Sequence, residues 1–313
     1  MIINFIKKYI SFFFFHIYEK NIVLIGQKLS LQNETKKKIK NLSEVEFSVF
    51  SQWGEDGIID WLIRQFNYIP ERFVEFGVGD YLESNTRFLI KTRNWQGLIL
   101  ESNRSDCAKI ILDPIYWRHD LILKNAFITK KNINKLIRNN LTNLEVGLLS
   151  VDLDGNDYWI IQAINCIKPY IVVCEYNSIF GNKQMIAAPY KSSFNRNSSH
   201  YSNLFFGSSI KALISLMNFK GYKFIGSNLN GVNAFFIRND HAGYILKKIK
   251  NIQCFPSKLR ESRDNKGKKN FIRGFDRINI IKNKKVFDFN KKKLLLLSKI
   301  KDIYSSCWKK KIS

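Results

Sequence analysis

The sequence contains no CxxC pair and no metal-finger spacing, and its five cysteines, Cys107, Cys166, Cys174, Cys254 and Cys307, are odd in number. Their pattern argues against a disulfide-stapled scaffold and a zinc finger as organising devices. Cys166 and Cys174 fall in apolar runs, where a free thiol behaves as a small hydrophobe, so a reduced cytoplasmic setting is expected. Also missing is any apolar run of bilayer length. The nearest approach is the run 9–18 behind Lys7 and Lys8, which imitates a secretory leader but is too short to span and has no small-residue cleavage site after it. For residues 1–25 the expectation is a helix, either packed on the domain or lying in the inner-membrane interface through Phe12 to Phe15. Acidic residues are scarce, with 26 Asp and Glu against 51 Lys and Arg, a formal net charge of +25. Such an excess suits polyanion partners. The chain is equally crowded with Asn, Ile, Phe and Tyr, the bias of an AT-rich coding sequence, and the charge is read chiefly as that bias.

What is present describes a globular chain. With 313 residues and a hydrophobic share of 45%, it can bury a sizeable core. A polar stretch at 32–41 reads as a linker, dividing an apolar helical extension (1–42) from a domain over 43–240. Ile58, Ile59, Leu62, Ile63 and Phe66 recur at helical spacing behind the polar segment 51–57, and Pro70 ends that helix. Short apolar runs then alternate with amphipathic ones. Strands are expected at 73–76, 98–100, 148–151 and 171–174, with a weaker one near 115–117; helices fit 85–92, 133–139 and 158–167. After a polar insertion at 181–206, a helix at 209–219 precedes strands at 222–225 and 233–237, whose short connection suits an antiparallel hairpin. The fold class expected is α/β: a Rossmann-like, mostly parallel sheet with helices on both faces. The Lys-rich residues 241–313, amphipathic around 294–303, read as a basic helical extension.

Ligands of open α/β sheets bind at the carboxyl ends of the strands, and the candidate chemistry lies there. The first strand ends in Glu75-Phe76-Gly77-Val78-Gly79, a turn that lets a ligand approach the backbone. A dinucleotide fingerprint needs a third glycine three residues later, where this chain has Leu82. An acidic residue two before the first glycine instead suits the ammonium of an amino-acid moiety, which is Glu75. Glu101 ends the second strand, where a carboxylate can take both hydroxyls of a ribose. Asp120 follows near the expected end of the third, placed to accept from an adenine amino group.

In their order, the segments SQWGEDGI, FVEFGVGDYLESNT, WQGLILES, SVDLDGNDYWI, VVCEYN and YKFIGSNLNGVNAFF resemble class I S-adenosylmethionine-dependent methyltransferases, and more narrowly the bacterial FkbM-type group. The resemblance runs from about Ser51 to Asp240. It implies a seven-stranded sheet whose last strand is antiparallel. It also implies cofactor contacts at Glu75, Gly77, Gly79, Glu101 and Asp120, with Gln52, Asn85, Ser102 and Asp152 in the same segments completing the candidate set. The implied activity is methyl transfer from S-adenosylmethionine to an oxygen of a small acceptor, in the favoured case a sugar or surface-polysaccharide precursor.

On the acceptor side, Asp152, Asp154 and Asp157 lie just past the fourth strand, and Asp152 or Asp154 can act as base. Asp157 capping the next helix and Asp154 fixing the turn are the plainer roles for two of them. The segment imitates a calcium loop without the closing Glu, and it follows a strand. Oxygen ligands from Asp152 or Asp154 with Glu175 and Asn177 suit Mg²⁺. The insertion reads as an acceptor lid that supplies His200 as an alternative base. No Asp-Pro-Pro-Tyr or Asn-Pro-Pro-Tyr segment points to methylation of nucleic-acid bases, so a small-molecule or glycan acceptor is expected and nucleic acid is not. The basic tail leaves room for contact with anionic lipid at the inner membrane. Two rivals remain: a nicotinamide-dependent sugar-nucleotide enzyme, and a non-catalytic binding module on the same sheet.

Overall fold

The computed structural model describes residues 2–312, with side chains described over 18–312. Seven strands form the main sheet: β1 (Arg72–Phe76), β2 (Gln96–Glu101), β3 (Leu121–Asn125), β4 (Leu148–Val151), β5 (Ile171–Glu175), and later β7 (Tyr222–Ser227) and β8 (Asn233–Arg238). Between the last two groups lies the short β6 (Ile186–Ala187), and the tail adds β9 (Lys285–Asp288) and β10 (Lys293–Leu296). Strand order in the main sheet is β3-β2-β1-β4-β5-β8-β7. Neighbours from β3 to β5 are parallel, while β8 runs antiparallel to both β5 and β7. The hairpin and the single reversed strand therefore stand where they were expected.

Parallel strands covered on both faces read as continuous apolar runs, and alternate residues of these strands feed two separate cores. Val74, Phe76, Leu98, Leu100, Leu149, Val151, Val172 and Cys174 pack on one face. Phe73, Ile99, Leu148, Ile171, Val173, Phe235 and Ile237 pack on the other. Chain direction across the sheet switches between β1 and β4, so the connections leave on opposite sides and open a crevice at that point.

The first helix, Ile2–Glu34, runs through the first part of the stretch read as a linker, and it docks on helices Glu55–Ile63 and Arg87–Arg93. Its anchor is ionic. Buried Arg87 donates to Glu19 and to Asp113, each at 2.8 Å, and Lys91 adds a contact to Glu19. The side chains of Phe12 to Phe15 lie outside the described residues. Among those described, no helix is long and apolar enough to cross a membrane.

Four expectations need correction. The weak strand near 115–117 is a helix, Pro114–Arg118, because the Asp113 side chain caps it and Pro114 occupies its first turn, where a missing N–H costs nothing. The third strand starts only at Leu121, which leaves Asp120 at its amino end, accepting from Gln96 Nε2 at 2.6 Å. Residues 294–303 are not a helix: β10 folds back on β9, and β9 pairs with β6 in a three-stranded sheet. The insertion is less a polar lid than part of the core, since Ile186, Ala187, Phe194, Leu204, Phe205 and Phe206 are all buried. Trp159 meets Phe287 and Phe289 of the tail at ring distances of 5.7 and 5.6 Å, joining sheet, insertion and tail.

Candidate active site

A cleft of about 910 Å³ opens at the carboxyl ends of β1, β4 and β5. Turns after these strands form one side, and residues 257–277 of the tail form the other. Gln52, Glu75, Gly77, Gly79, Asn85, Asp152, Asp154, Glu175 and Asn177 all line it.

The two glycines of the first turn serve different ends. Gly77 has φ +72°, and a Cβ there would lie 1.6 Å from the carbonyl oxygen of Asp152, so it is the contact between the ends of β1 and β4 that requires glycine. Gly79 has φ +55° and a Cβ would meet nothing within 4 Å, which leaves its backbone open to the cleft. Glu101 stands behind this turn. One of its oxygens accepts the Gly79 N–H at 2.9 Å, and the other accepts the Asn103 N–H at 2.7 Å and the Ser102 hydroxyl at 3.3 Å. Glu101 and Ser102 both lie off the cleft lining, so Glu101 reaches the cleft only through the Gly79 turn it holds.

Glu75 is buried and its carboxylate is engaged by its own loop, accepting from the Asn85 N–H at 2.9 Å, the Ser150 hydroxyl at 3.2 Å and the Thr86 hydroxyl. Burial raises its pKa despite these donors. Its structural work is to hold the 84–86 loop, whose Asn85 side chain reaches Ser150 at 3.1 Å. Gln52 bridges to Glu83 at 2.7 Å across the mouth. The segment before it hangs on Asp56, whose Oδ2 accepts the N–H groups of Val49, Phe50 and Ser51 at 2.7, 2.7 and 2.9 Å, and burial pushes that carboxyl up to about 7.

Opposite the glycine turn stands an acidic wall. Asp152, Asp154 and Glu175 each bring one carboxylate oxygen within 4.8 Å of the others. Arg196, from the insertion, reaches Asp154 at 2.6 Å and Glu175 at 3.9 Å while lying 3.7 Å over the Phe206 ring. Burial raises the Asp152 and Glu175 carboxyls well above the usual range, and mutual repulsion adds to it; Arg196 pulls the other way. The turn itself is fixed by Asp157, not Asp154: its carboxylate accepts from Leu153 N at 2.7 Å and Gly155 N at 2.9 Å.

Asn177 lines the cleft, and both ends of its amide already have partners. Its Oδ1 accepts the Ile179 N–H, and its Nδ2 donates to the carbonyls of Leu204 and Phe206, each bond 3.0 Å long. It buckles the insertion to the end of β5. His200 lies off the cleft lining, its Nδ1 bonded to the Ser202 hydroxyl at 2.7 Å and its basicity lowered by burial and by Lys284. Asp120, at the opposite rim of the sheet, is likewise outside the cleft.

Sequence reasoning missed three residues here. Arg196 is one. Asn233, paired directly opposite Glu175 between β5 and β8, is another. The third is buried Arg277, whose guanidinium donates to the carbonyls of Ser257, Leu259 and Gly274 at 2.7, 3.1 and 3.3 Å and so holds the irregular tail segment against the cleft. Each works through partners far away in sequence, and no local pattern marks them.

No family model matches the chain, and no curated protein matches it. Among solved structures, an S-adenosylmethionine-dependent methyltransferase from Clostridium acetobutylicum superposes on 59% of this chain and 90% of its own, with 8% identity and a TM-score of 0.36. The N-terminal domain of EvdMO1 with SAH bound covers 53% of this chain and 72% of its own, at 8% identity and a TM-score of 0.33. An O-methyltransferase family protein from Burkholderia thailandensis covers 69% and 71%, at 11% identity and a TM-score of 0.35. Likeness at this level carries no functional argument.

Proposed function

We propose that the chain is an S-adenosylmethionine-dependent methyltransferase of the FkbM type that methylates an oxygen of a small acceptor, a sugar or surface-polysaccharide precursor. One observation carries the reading: the turn after β1 leaves Gly79 open to the cleft with Glu101 directly behind it, inside the seven-stranded sheet with one reversed strand that the motif resemblance implies. The charge of the cleft agrees. Its lining holds eight carboxylates and four cationic side chains, although the whole chain carries +25. A negative cleft in a positive protein favours a cationic ligand over a polyanion.

When bound, S-adenosylmethionine supplies a methyl group on a positively charged sulfur. The 77–85 turn, held from behind by Glu101, would bind and orient that donor, with Gln52 over the mouth. The acidic wall faces it and positions the acceptor hydroxyl. A carboxylate of that wall would accept the proton of the acceptor hydroxyl as the methyl group is transferred to its oxygen. Alignment of the reactants in a partly dry cleft supplies most of the acceleration. His200 and Asp120 take no part, and Asn177 acts only through the position of the insertion.

A nicotinamide enzyme on the same sheet is disfavoured by Leu82 at the third glycine position. Calorimetry with S-adenosylhomocysteine and with NAD separates the readings. Saturable binding of the first and none of the second is expected. A folded protein that binds only NAD, or neither, ends the proposal.

A further inference from the structure

We infer that residues 257–277 of the tail form a subsite for a phosphate or diphosphate group carried by the acceptor, with Arg260 and Lys269 at its surface and Arg277 beneath them. The inference rests on the methyl-transfer reading and deepens it, because it gives the acceptor a charge and an orientation.

The first ground is the way the charge of the cleft is divided. Seven of its eight carboxylates lie between residues 55 and 175, on the strand-end side, and only Glu261 belongs to the tail; three of its four cations, Arg260, Lys269 and Arg277, belong to the tail. Over 257–277, eight Lys and Arg stand against three Asp and Glu. Of those three, Asp264 is used by its own turn, where it accepts the Lys266 and Lys268 N–H groups, each at 2.9 Å. Asp276 opens the helix Asp276–Ile281. Glu261 meets Lys269 only at 4.0 Å, with both side chains more than half exposed, a pair too solvated to neutralise much. A ligand that spans this cleft meets negative charge at the strand ends and positive charge across from them. The cationic donor fits the first, and an anionic acceptor fits the second.

The second ground is the state of the cations themselves. Arg277 is 5% exposed and lines the cleft, yet all three of its recorded bonds go to backbone carbonyls, and no carboxylate pairs with it among the described residues. A guanidinium carries five N–H donors, and those bonds use three. A buried positive charge without a counter-ion is costly, and an anion bound beside it offsets that cost. Arg260 is exposed, and its Nε donates to the Phe271 carbonyl at 3.1 Å, which leaves its two terminal nitrogens without a partner among the described residues.

The wall that carries these cations is fixed by its own bonds. Arg263 and Lys269 pair in an antiparallel bridge, the Asp264 N–H donates to the Lys268 carbonyl at 2.8 Å, and buried Ser262 accepts the Ile272 N–H at 2.9 Å. Its backbone is therefore set before a ligand arrives, which lowers the ordering cost of binding. The forked donors of arginine and the point charge of lysine both suit phosphate oxygens, and a multiply charged group uses several cations where a single carboxylate does not. Such a group reaches a sugar through a nucleotide or through a lipid carrier, and the same cations serve either.

The test uses the full chain at low ionic strength, where exposed charges are least screened. Inorganic pyrophosphate is titrated by calorimetry, then UDP-glucose and geranyl diphosphate as nucleotide-linked and lipid-linked probes, with S-adenosylhomocysteine on the same preparation. One saturable pyrophosphate per chain is expected, with Kd about 1 mM or tighter, and bound S-adenosylhomocysteine should leave it in place. Arg260→Gln and Lys269→Gln, both on exposed side chains, should each weaken it about fivefold or more, while affinity for S-adenosylhomocysteine stays within about twofold. At least one of the two larger probes should displace pyrophosphate, and the tighter of them names the carrier. Three results overturn the inference: no saturable pyrophosphate site, wild-type affinity in both variants, which marks scattered surface binding, or displacement of pyrophosphate by S-adenosylhomocysteine, which gives the cations to the donor's carboxylate. S-adenosylhomocysteine binding without pyrophosphate sinks the subsite and leaves the methyl-transfer reading standing; pyrophosphate binding without S-adenosylhomocysteine does the reverse.

Discussion

Alanine at Gly79 and alanine at Gly77 should have opposite consequences, although the two positions are two residues apart and both have positive φ. At Gly79 the added methyl meets nothing within 4 Å, so the fold loses only the strain of a left-handed alanine, about 1–2 kcal/mol. That methyl projects into the cleft, where the proposed donor must lie against the backbone. Overpacking of this kind costs about 1–3 kcal/mol, which weakens binding by roughly 5- to 150-fold. At Gly77 the new Cβ would stand 1.6 Å from the Asp152 carbonyl oxygen, far inside the roughly 3.5 Å of van der Waals contact. The ends of β1 and β4 must part, carrying the acidic wall with them, and a stability loss of about 3 kcal/mol or more follows. Denaturant unfolding gives the first quantity and calorimetry with S-adenosylhomocysteine the second. Wild-type affinity in folded Gly79→Ala would refute the assignment of this turn to the donor.

Two further outcomes follow from the packing. The Asp56 carboxyl is held near 7 in the folded protein, above its ordinary 3.8, so its favourable contribution is complete below about pH 4 and is lost as pH rises through about 7, up to about 4 kcal/mol. Asp56→Asn keeps an oxygen for the Val49, Phe50 and Ser51 N–H groups and should flatten part of that decline in unfolding experiments between about pH 4 and pH 8; Glu46, also near 7 through burial, carries a share of the same slope. An unchanged slope in Asp56→Asn would show that Asp56 stays ionised. Arg277→Met strips the donors from three carbonyls and should speed proteolysis within residues 257–274 while costing about 3 kcal/mol. An unaltered cleavage pattern would mean that the segment is held by other contacts.

Much of this architecture could be read from the chain. The buried parallel strands are short apolar runs, and the Gly226–Gly231 connection between two such runs marks the hairpin. Asp120 was misplaced because Ile115, Tyr116 and Trp117 look like a strand when read for hydrophobicity alone. Asp113-Pro114, a capping residue followed by a residue suited to the first helical turn, carries the opposite signal. The tail misled for a different reason. Lysines at 291–293 suggest a solvated helix, yet residues 293–296 pair with 285–288, and 285–288 pair with Ile186–Ala187, a partner too distant in sequence for a local pattern to show. Asn177 has the right chemistry for a ligand, and only the fold reveals that its amide nitrogen holds the insertion at Leu204 and Phe206 while its oxygen takes the Ile179 N–H. Arg196 and Asn233 belong to the site through pairings that span the sheet, and local sequence carries no record of such pairings.

The ladder between β6 and β9 ties the 181–206 insertion to the far end of the chain. Neither segment is a free appendage. Grafting a foreign insertion would strip β9 of its neighbour, and trimming the tail would uncover the edge at Ile186 and Ala187. Anyone re-engineering this cleft must therefore exchange the two pieces together, as one cassette.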